Sequence, residues 1–153
     1  MGDGRTRFRI WAPGFDHASV HLLAPRDRDI PMKKDTRGYH EAVAEDVVPG
    51  ALYKIRLGDL PERPDPASRF QPQGLHGPSQ VIDASFPWTD TAWSGMPLDR
   101  FVIYELHVGT FTPGGTFEAV IPRLDGLVDL GVTAVEIMPI AQFPGDRNWG
   151  YDG

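Results

Sequence analysis

The sequence predicts two successive folds: a small antiparallel β-sandwich, then a parallel strand–helix–strand unit. Three observations carry this. Apolar residues alternate with a period of two through residues 8–57. Prolines crowd residues 58–99. After Arg100 the pattern changes to two mostly apolar runs flanking a helical stripe. The corresponding boundaries are 1–85 for the sandwich, 86–99 for a linker and 100–153 for the second fold. The 153 residues suffice to bury a real core.

The strands follow in order. Phe8, Ile10 and Ala12 share one face before the Pro13-Gly14 turn, and Ala18, Val20 and Leu22 repeat the pattern. Asp35-Thr36-Arg37-Gly38 reads as a turn between strands near residues 30–33 and 39–44. Pro49-Gly50 leads into 52–57, where Tyr53, Ile55 and Leu57 face one way and Lys54 and Arg56 the other. Strands this short, punctuated by Gly and Pro, specify a sandwich. In the proline-rich stretch only residues 80–83 resemble a strand, because proline at that density excludes continuous helix and central sheet.

In the second half, 101–108 is a mostly apolar, strand-like run. Thr116 is placed to cap a helix whose stripe is Phe117, Val120, Ile121, Leu124, Leu127 and Val128. Leu130-Gly131 supplies the stop, and 132–138 is the second buried strand, closed by Pro139. Strand, helix, strand makes a right-handed βαβ unit with parallel strands. Pro122 falls inside the helical stripe and is expected to kink it or delay its regular part.

Composition narrows the function. The chain is 41% hydrophobic and 24% charged, with a net charge of −6, so it is globular and not built to neutralise phosphates; nucleic acid is not an expected partner. It has no cysteine, which excludes disulfides, thiolate metal sites and a thiol nucleophile. Residues 1–7 lead into no secretory apolar stretch, and no run has membrane-helix length, so the expectation is a cytoplasmic protein without membrane association. His17 and His21 have the i, i+4 spacing of a helical metal pair, but in a strand four residues span about 13 Å. No metal is expected.

Two features point to chemistry. Glu105 and Glu136 lie on the two apolar runs. Adjacent parallel strands run about 4.8 Å apart, so matched levels would bring the carboxylates near the roughly 5–5.5 Å separation of a retaining glycosidase pair. The alternative is a pair of structural carboxylates held by hydrogen bonds to neighbours such as His107. The stretch from Gln142 to Gly153 combines Trp, Tyr, Asn, Arg and two Asp just beyond the second strand. Flat aromatic faces and carboxylates are what a sugar site needs, although aromatics at that place also serve to plug a rim.

These motifs carry a resemblance. Phe101-Val-Ile-Tyr-Glu-Leu-His-Val-Gly-Thr-Phe-Thr112, Gly131-Val-Thr-Ala-Val-Glu-Ile-Met-Pro139 and Phe143-Pro-Gly-Asp-Arg-Asn-Trp-Gly-Tyr-Asp-Gly153 resemble the alpha-amylase superfamily of glycoside hydrolases. The last motif, with Arg63-Pro-Asp-Pro-Ala-Ser-Arg69 and Gly74-Leu-His-Gly-Pro-Ser79, is similar to the trehalohydrolase branch; Phe8-Arg-Ile-Trp-Ala-Pro13 resembles the opening of the sandwich that precedes the barrel there. The resemblance implies an immunoglobulin-like, early-set sandwich followed by the beginning of an incomplete (β/α)8 TIM barrel. It implies retaining hydrolysis of the α-1,4 bond next to the terminal trehalose of maltooligosyl trehalose, in trehalose biosynthesis, with maltooligosyl trehalose synthase as pathway partner and no cofactor.

The same resemblance implies that the nucleophile Asp, the acid/base Glu and the second Asp come from the fourth, fifth and seventh barrel strands, beyond residue 153. This chain is then an N-terminal fragment without catalytic residues, inactive alone, with a self-sufficient sandwich and a weakly stabilised tail; Glu105 and Glu136 are non-catalytic. Tyr151 carries over as the aromatic platform under the sugar at the cleavage point, and Trp149 and Asp152 as residues shaping that pocket. Two other readings stand beside this one. They are a fragment of a glycogen branching or debranching relative, and a non-catalytic carbohydrate-binding sandwich.

Overall fold

A computed structural model describes residues 4–141 and 143–145 of the chain. It divides into two compact units, Met1–Phe86 and Pro87–Gly153.

The first unit is mostly sheet. Its strands are β1 (Arg5–Trp11), β2 (Ala18–Ala24), β3 (Arg28–Pro31), β4 (Lys33–Lys34), β5 (Tyr39–Glu45), β6 (Leu52–Leu57) and β7 (Ser79–Gln80). They form a three-stranded sheet in the order β1-β5-β4 and a four-stranded sheet in the order β3-β2-β6-β7. Every pairing is antiparallel. The period-two alternation sets which residues meet inside: Phe8, Ile10, Ala42 and Ala44 come from the first sheet, and Val20, Leu22, Tyr53 and Ile55 from the second. The Phe8 and Tyr53 rings meet edge to face at 4.8 Å between centroids, an arrangement aromatic quadrupoles favour.

The strand expected at 30–33 is two strands, and the reason is Met32. Its side chain is buried and its N–H bonds to the Ala18 carbonyl at 2.9 Å. The chain crosses there from the sheet containing β2 to the sheet containing β5. The strand expected at 80–83 is shorter and lies at Ser79–Gln80.

Two polar residues are fully buried among the described residues of this unit, His40 and Ser79. His40 is fully buried, and its Nε2–H is shared between the carbonyls of Ala12 (3.2 Å) and Phe15 (3.1 Å). It ties the β1–β2 connection to β5.

The proline-rich segment is held to the sheet by Asp65. The buried Tyr53 hydroxyl donates to Asp65 Oδ2 at 2.9 Å, Ala67 N–H donates to Oδ1 at 2.9 Å, and Asp65 N–H donates to Ser79 Oγ at 2.9 Å. Burial and the neighbouring Asp65 charge push the Tyr53 phenol well above its ordinary range. Ile55 and Arg63 exchange backbone hydrogen bonds at 2.8 and 2.9 Å. The Arg63–Arg69 motif is thus a structural clasp.

The second unit contains a parallel pair, β8 (Ile103–Leu106) and β9 (Ala134–Ile137). Between them lie three short helices: α1 (Val108–Phe111), α2 (Phe117–Val120) and α3 (Leu124–Asp129). The apolar run expected as strand to residue 108 stops at Leu106, because the His107 carbonyl accepts from Thr110 and Phe111 N–H groups and turns the chain into α1. Thr116 caps α2 as expected, its hydroxyl accepting from Ala119 N–H at 3.2 Å. Pro122 lies in a single 3₁₀ turn, residues 121–123, between α2 and α3. The tighter turn accommodates a residue that has no N–H to donate and would clash with a preceding carbonyl in regular helix. Gly131 ends α3 at φ +94°: its N–H bonds to the Val128 carbonyl and Val132 N–H to that of Leu127, both at 2.9 Å. That is the Schellman pattern.

Two of the six residues of the expected helical stripe are buried. Val120 and Leu127 face inward, whereas Phe117, Ile121, Leu124 and Val128 are exposed. Among the described residues no helix is long and apolar enough to cross a membrane.

Candidate functional site

Parallel pairing puts Glu105 of β8 directly opposite Glu136 of β9. The level match required of a carboxylate pair is therefore met, but both residues are exposed rather than enclosed. Tyr151, Trp149 and Asp152 lie outside the described residues. No group of three or more His, Asp or Glu able to hold a metal occurs among the described residues.

Two clusters on the sandwich were not singled out by sequence patterning. The first lies on the outer face of β2 and β6. His21 Nδ1 bonds to Glu62 Oε2 at 2.6 Å and its Nε2 to Asp27 Oδ1 at 3.3 Å. Arg56 bridges Asp29 (2.7 Å) and Glu62 (3.2 Å). His17, which precedes β2, takes no part in these bonds.

The Glu62 hydrogen bond raises the His21 pKa above its ordinary 6.5, and the same bond lowers Glu62 below its ordinary 4.5. A raised histidine stabilises the fold fully below about pH 6.5, and that contribution fades as pH climbs through the raised value. A lowered carboxylate contributes fully above about pH 4.5 and fades on acidification. Both act together between roughly pH 4.5 and 6.5. We expect His21→Asn to cost about 1 kcal/mol or less in that window, with the difference from wild type shrinking by pH 9. Thermal unfolding midpoints of the two proteins across pH read this directly.

The second cluster lies on the outer face of the three-stranded sheet. Trp11 and Tyr39 are cross-strand partners at one end of β1 and β5. The Trp11 ring is 62% exposed, yet it is fixed at its edge: Nε1–H donates to the Arg37 carbonyl at 3.1 Å. The Arg9 guanidinium lies 4.0 Å from the Tyr39 ring centroid, a cation–π contact that holds that ring in place. Beyond Tyr39 a shallow groove of about 370 Å³ runs along Lys33, Lys34, Asp35, Glu41, Ala42 and Val43.

Comparison with known proteins places both halves. Residues 1–62 match the family model for carbohydrate-binding module 48, the isoamylase N-terminal domain. The chain as a whole is 49% identical to the malto-oligosyltrehalose trehalohydrolase of Saccharolobus solfataricus, over 99% of its own length and 26% of the relative's. A Salmonella typhimurium crystal structure described as an alpha amylase superposes with a TM-score of 0.83 at 44% identity, covering 97% of this chain and 25% of that one. A Paenibacillus barengoltzii pullulanase in complex with maltohexaose and alpha-cyclodextrin superposes at 0.67 with 27% identity, covering 92% and 26%. The chain thus spans about a quarter of the length of the curated relatives it matches. The resemblance read from the motifs is met by these matches.

Proposed function

We propose that this chain is the accessory sandwich and the first βαβ unit of the catalytic barrel of a malto-oligosyltrehalose trehalohydrolase. The sandwich corresponds to residues 1–85, a linker to 86–99 and the barrel segment to 100–153. The observation that carries the reading is the 49% identity to a protein of that name along nearly the whole chain, both halves included. The parallel β8–β9 pair is what a barrel's first two strands require, and the exposed Phe117, Ile121, Leu124 and Val128 are apolar surface of the kind an adjoining barrel element covers.

In this reading Tyr151 provides the floor under the sugar at the bond to be cut, with Trp149 and Asp152 beside it. Loops at the carboxyl ends of barrel strands, where these residues follow β9, are where such enzymes build their sites. Glu105 and Glu136 take no chemical step. The carboxylates that do are supplied by later strands, in a retaining mechanism that releases trehalose from maltooligosyl trehalose in the cytoplasm. The deciding experiment incubates the parent protein containing this chain with maltooligosyl trehalose and separates the products. Trehalose is the expected product, whereas new α-1,6 branches without trehalose would assign a branching relative instead.

A further inference from the structure

We propose that the free edge of β1 is a docking site for an extended acidic peptide, which adds to the β1-β5-β4 sheet as a fourth strand. This goes beyond the reaction assigned above and does not depend on it. The direction of the backbone groups at this edge, its charge and the contrast with the other sheet edges support it.

β1 ends its sheet: among the described residues it pairs with β5 alone. Ala12 N–H bonds to the Gly38 carbonyl at 3.0 Å, one step beyond the Trp11–Tyr39 pair. Bonded and non-bonded pairs alternate along an antiparallel ladder. The backbone groups of Thr6, Phe8 and Ile10 therefore point to β5, and those of Arg5, Arg7 and Arg9 point to the open edge. Each of these arginines can exchange two backbone hydrogen bonds with a residue opposite it.

Native sheets usually blunt such an edge by shortness, proline or a bulge. The other edges of the sandwich follow that rule. β4 and β7 have two residues each, and β3 has four, the last of them Pro31. β1 has seven residues, no proline and an unbroken register with β5. Its guard is charge.

Arg5, Arg7 and Arg9 are exposed and alternate with Thr6, Phe8 and Ile10, so they share one face of the strand. Glu41 alone serves them, at 2.6 Å from Arg7 and 3.9 Å from Arg9, and Arg5 makes no ion pair among the described residues. The row thus keeps a surplus of positive charge in a chain whose net charge is −6. That surplus selects the partner. A second copy adding antiparallel through its own β1 sets arginine against arginine in the registers that pair most of the strand and keep Phe8 and Ile10 on the core side. Like charges directly opposite repel. A strand with Glu or Asp at alternate positions sets carboxylate against guanidinium instead, a pairing that fits two parallel hydrogen bonds.

The test uses the complete 153-residue chain and two fluorescein-labelled peptides of equal length and composition, one alternating Glu with Thr and one with its Glu residues in a block. Fluorescence anisotropy should show the alternating peptide bound more tightly. Hydrogen exchange should show the Arg5, Arg7 and Arg9 amides gaining protection when it binds. Methylating the peptide's Glu backbone nitrogens, which face β1 in this pairing, should abolish binding, and methylating the Thr nitrogens should spare it. Arg5→Ala and Arg7→Ala should each weaken binding about two- to fivefold, as expected of an exposed ion pair. The methylated peptides act on the wild-type chain, so the outcome does not hinge on whether a variant folds.

Equal binding of the alternating, blocked and Glu-methylated peptides would reveal charge attraction without strand pairing and overturn the proposal. Absence of binding overturns it too, as does protection of the same amides by self-association of the chain. The trehalohydrolase assignment is decided separately, by trehalose release.

Discussion

Gly38→Ala is expected to destabilise the sandwich by roughly 2–5 kcal/mol and to loosen the Trp11 ring at the same time. Gly38 has φ +84°, a conformation that costs an L-residue about 1–2 kcal/mol. An added Cβ would also stand 2.6 Å from the Pro13 Cβ and 2.9 Å from its Cα. One of those atoms is backbone, so relief requires moving the Pro13 turn or the Asp35–Gly38 turn, and overpacking of this kind costs about 1–3 kcal/mol. Neither turn is free to move. The Gly38 carbonyl accepts from Ala12 N–H at 3.0 Å, and Asp35 Oδ1 holds the N–H groups of Arg37 and Tyr39 at 2.8 and 3.0 Å. The Arg37 carbonyl that fixes the Trp11 indole lies in the same turn. Gly50→Ala is the control, with φ +97° but open space at the Cβ position, so it should cost about 1–2 kcal/mol. Denaturant midpoints of the two variants separate strain from collision. Equal losses would show that the Pro13 contact yields without cost.

How much of this was legible in the sequence depends on which interaction set each feature. Strand faces follow from local alternation, and Ala18, Val20, Leu22, Tyr53 and Ile55 are all buried as their spacing requires. The cap at Thr116, the stop at Gly131 and the break at Pro122 are likewise local, because each depends on backbone groups within a few residues. The level match of Glu105 and Glu136 followed from the parallel pairing. Their exposure did not, since apolar neighbours in sequence do not say what covers a strand. His21 was readable only as half of an i, i+4 pair. Its real partner, Glu62, is 41 residues away, across the pairing of β2 with β6 and the Arg63 bridge. Asp65 is similar: the Pro-Asp-Pro spacing marks a turn, but nothing local reveals Tyr53 and Ser79 as its partners. Trp11 reads as one more outward residue of an alternating strand, and only its register with Tyr39 and its bond to Arg37 distinguish it.

Leu22→Ala should produce a loss of about 2–5 kcal/mol in the stability of the first unit. Leu22 is 2% exposed on β2, a strand paired on both sides, with β3 through Arg28 and β6 through Tyr53. Hydrogen bonds on both edges keep that strand from closing in on a cavity, which favours the upper part of the range. The pairing register shifts between Leu22 and Ala24, so the cavity would open where the ladder is already irregular. Stability of a domain this size is roughly 0.05–0.15 kcal/mol per residue, about 4–13 kcal/mol in all. The substitution therefore removes a large share of it, and the unfolding temperature should fall by about 10–30 °C. Ile121→Ala, which truncates a side chain 63% exposed, should change stability by only about 0.5 kcal/mol. Chemical denaturation of both variants checks the contrast, with the midpoint falling for Leu22→Ala and the slope unchanged. A Leu22→Ala loss no larger than that of Ile121→Ala would mean that the two sheets do not pack through this residue.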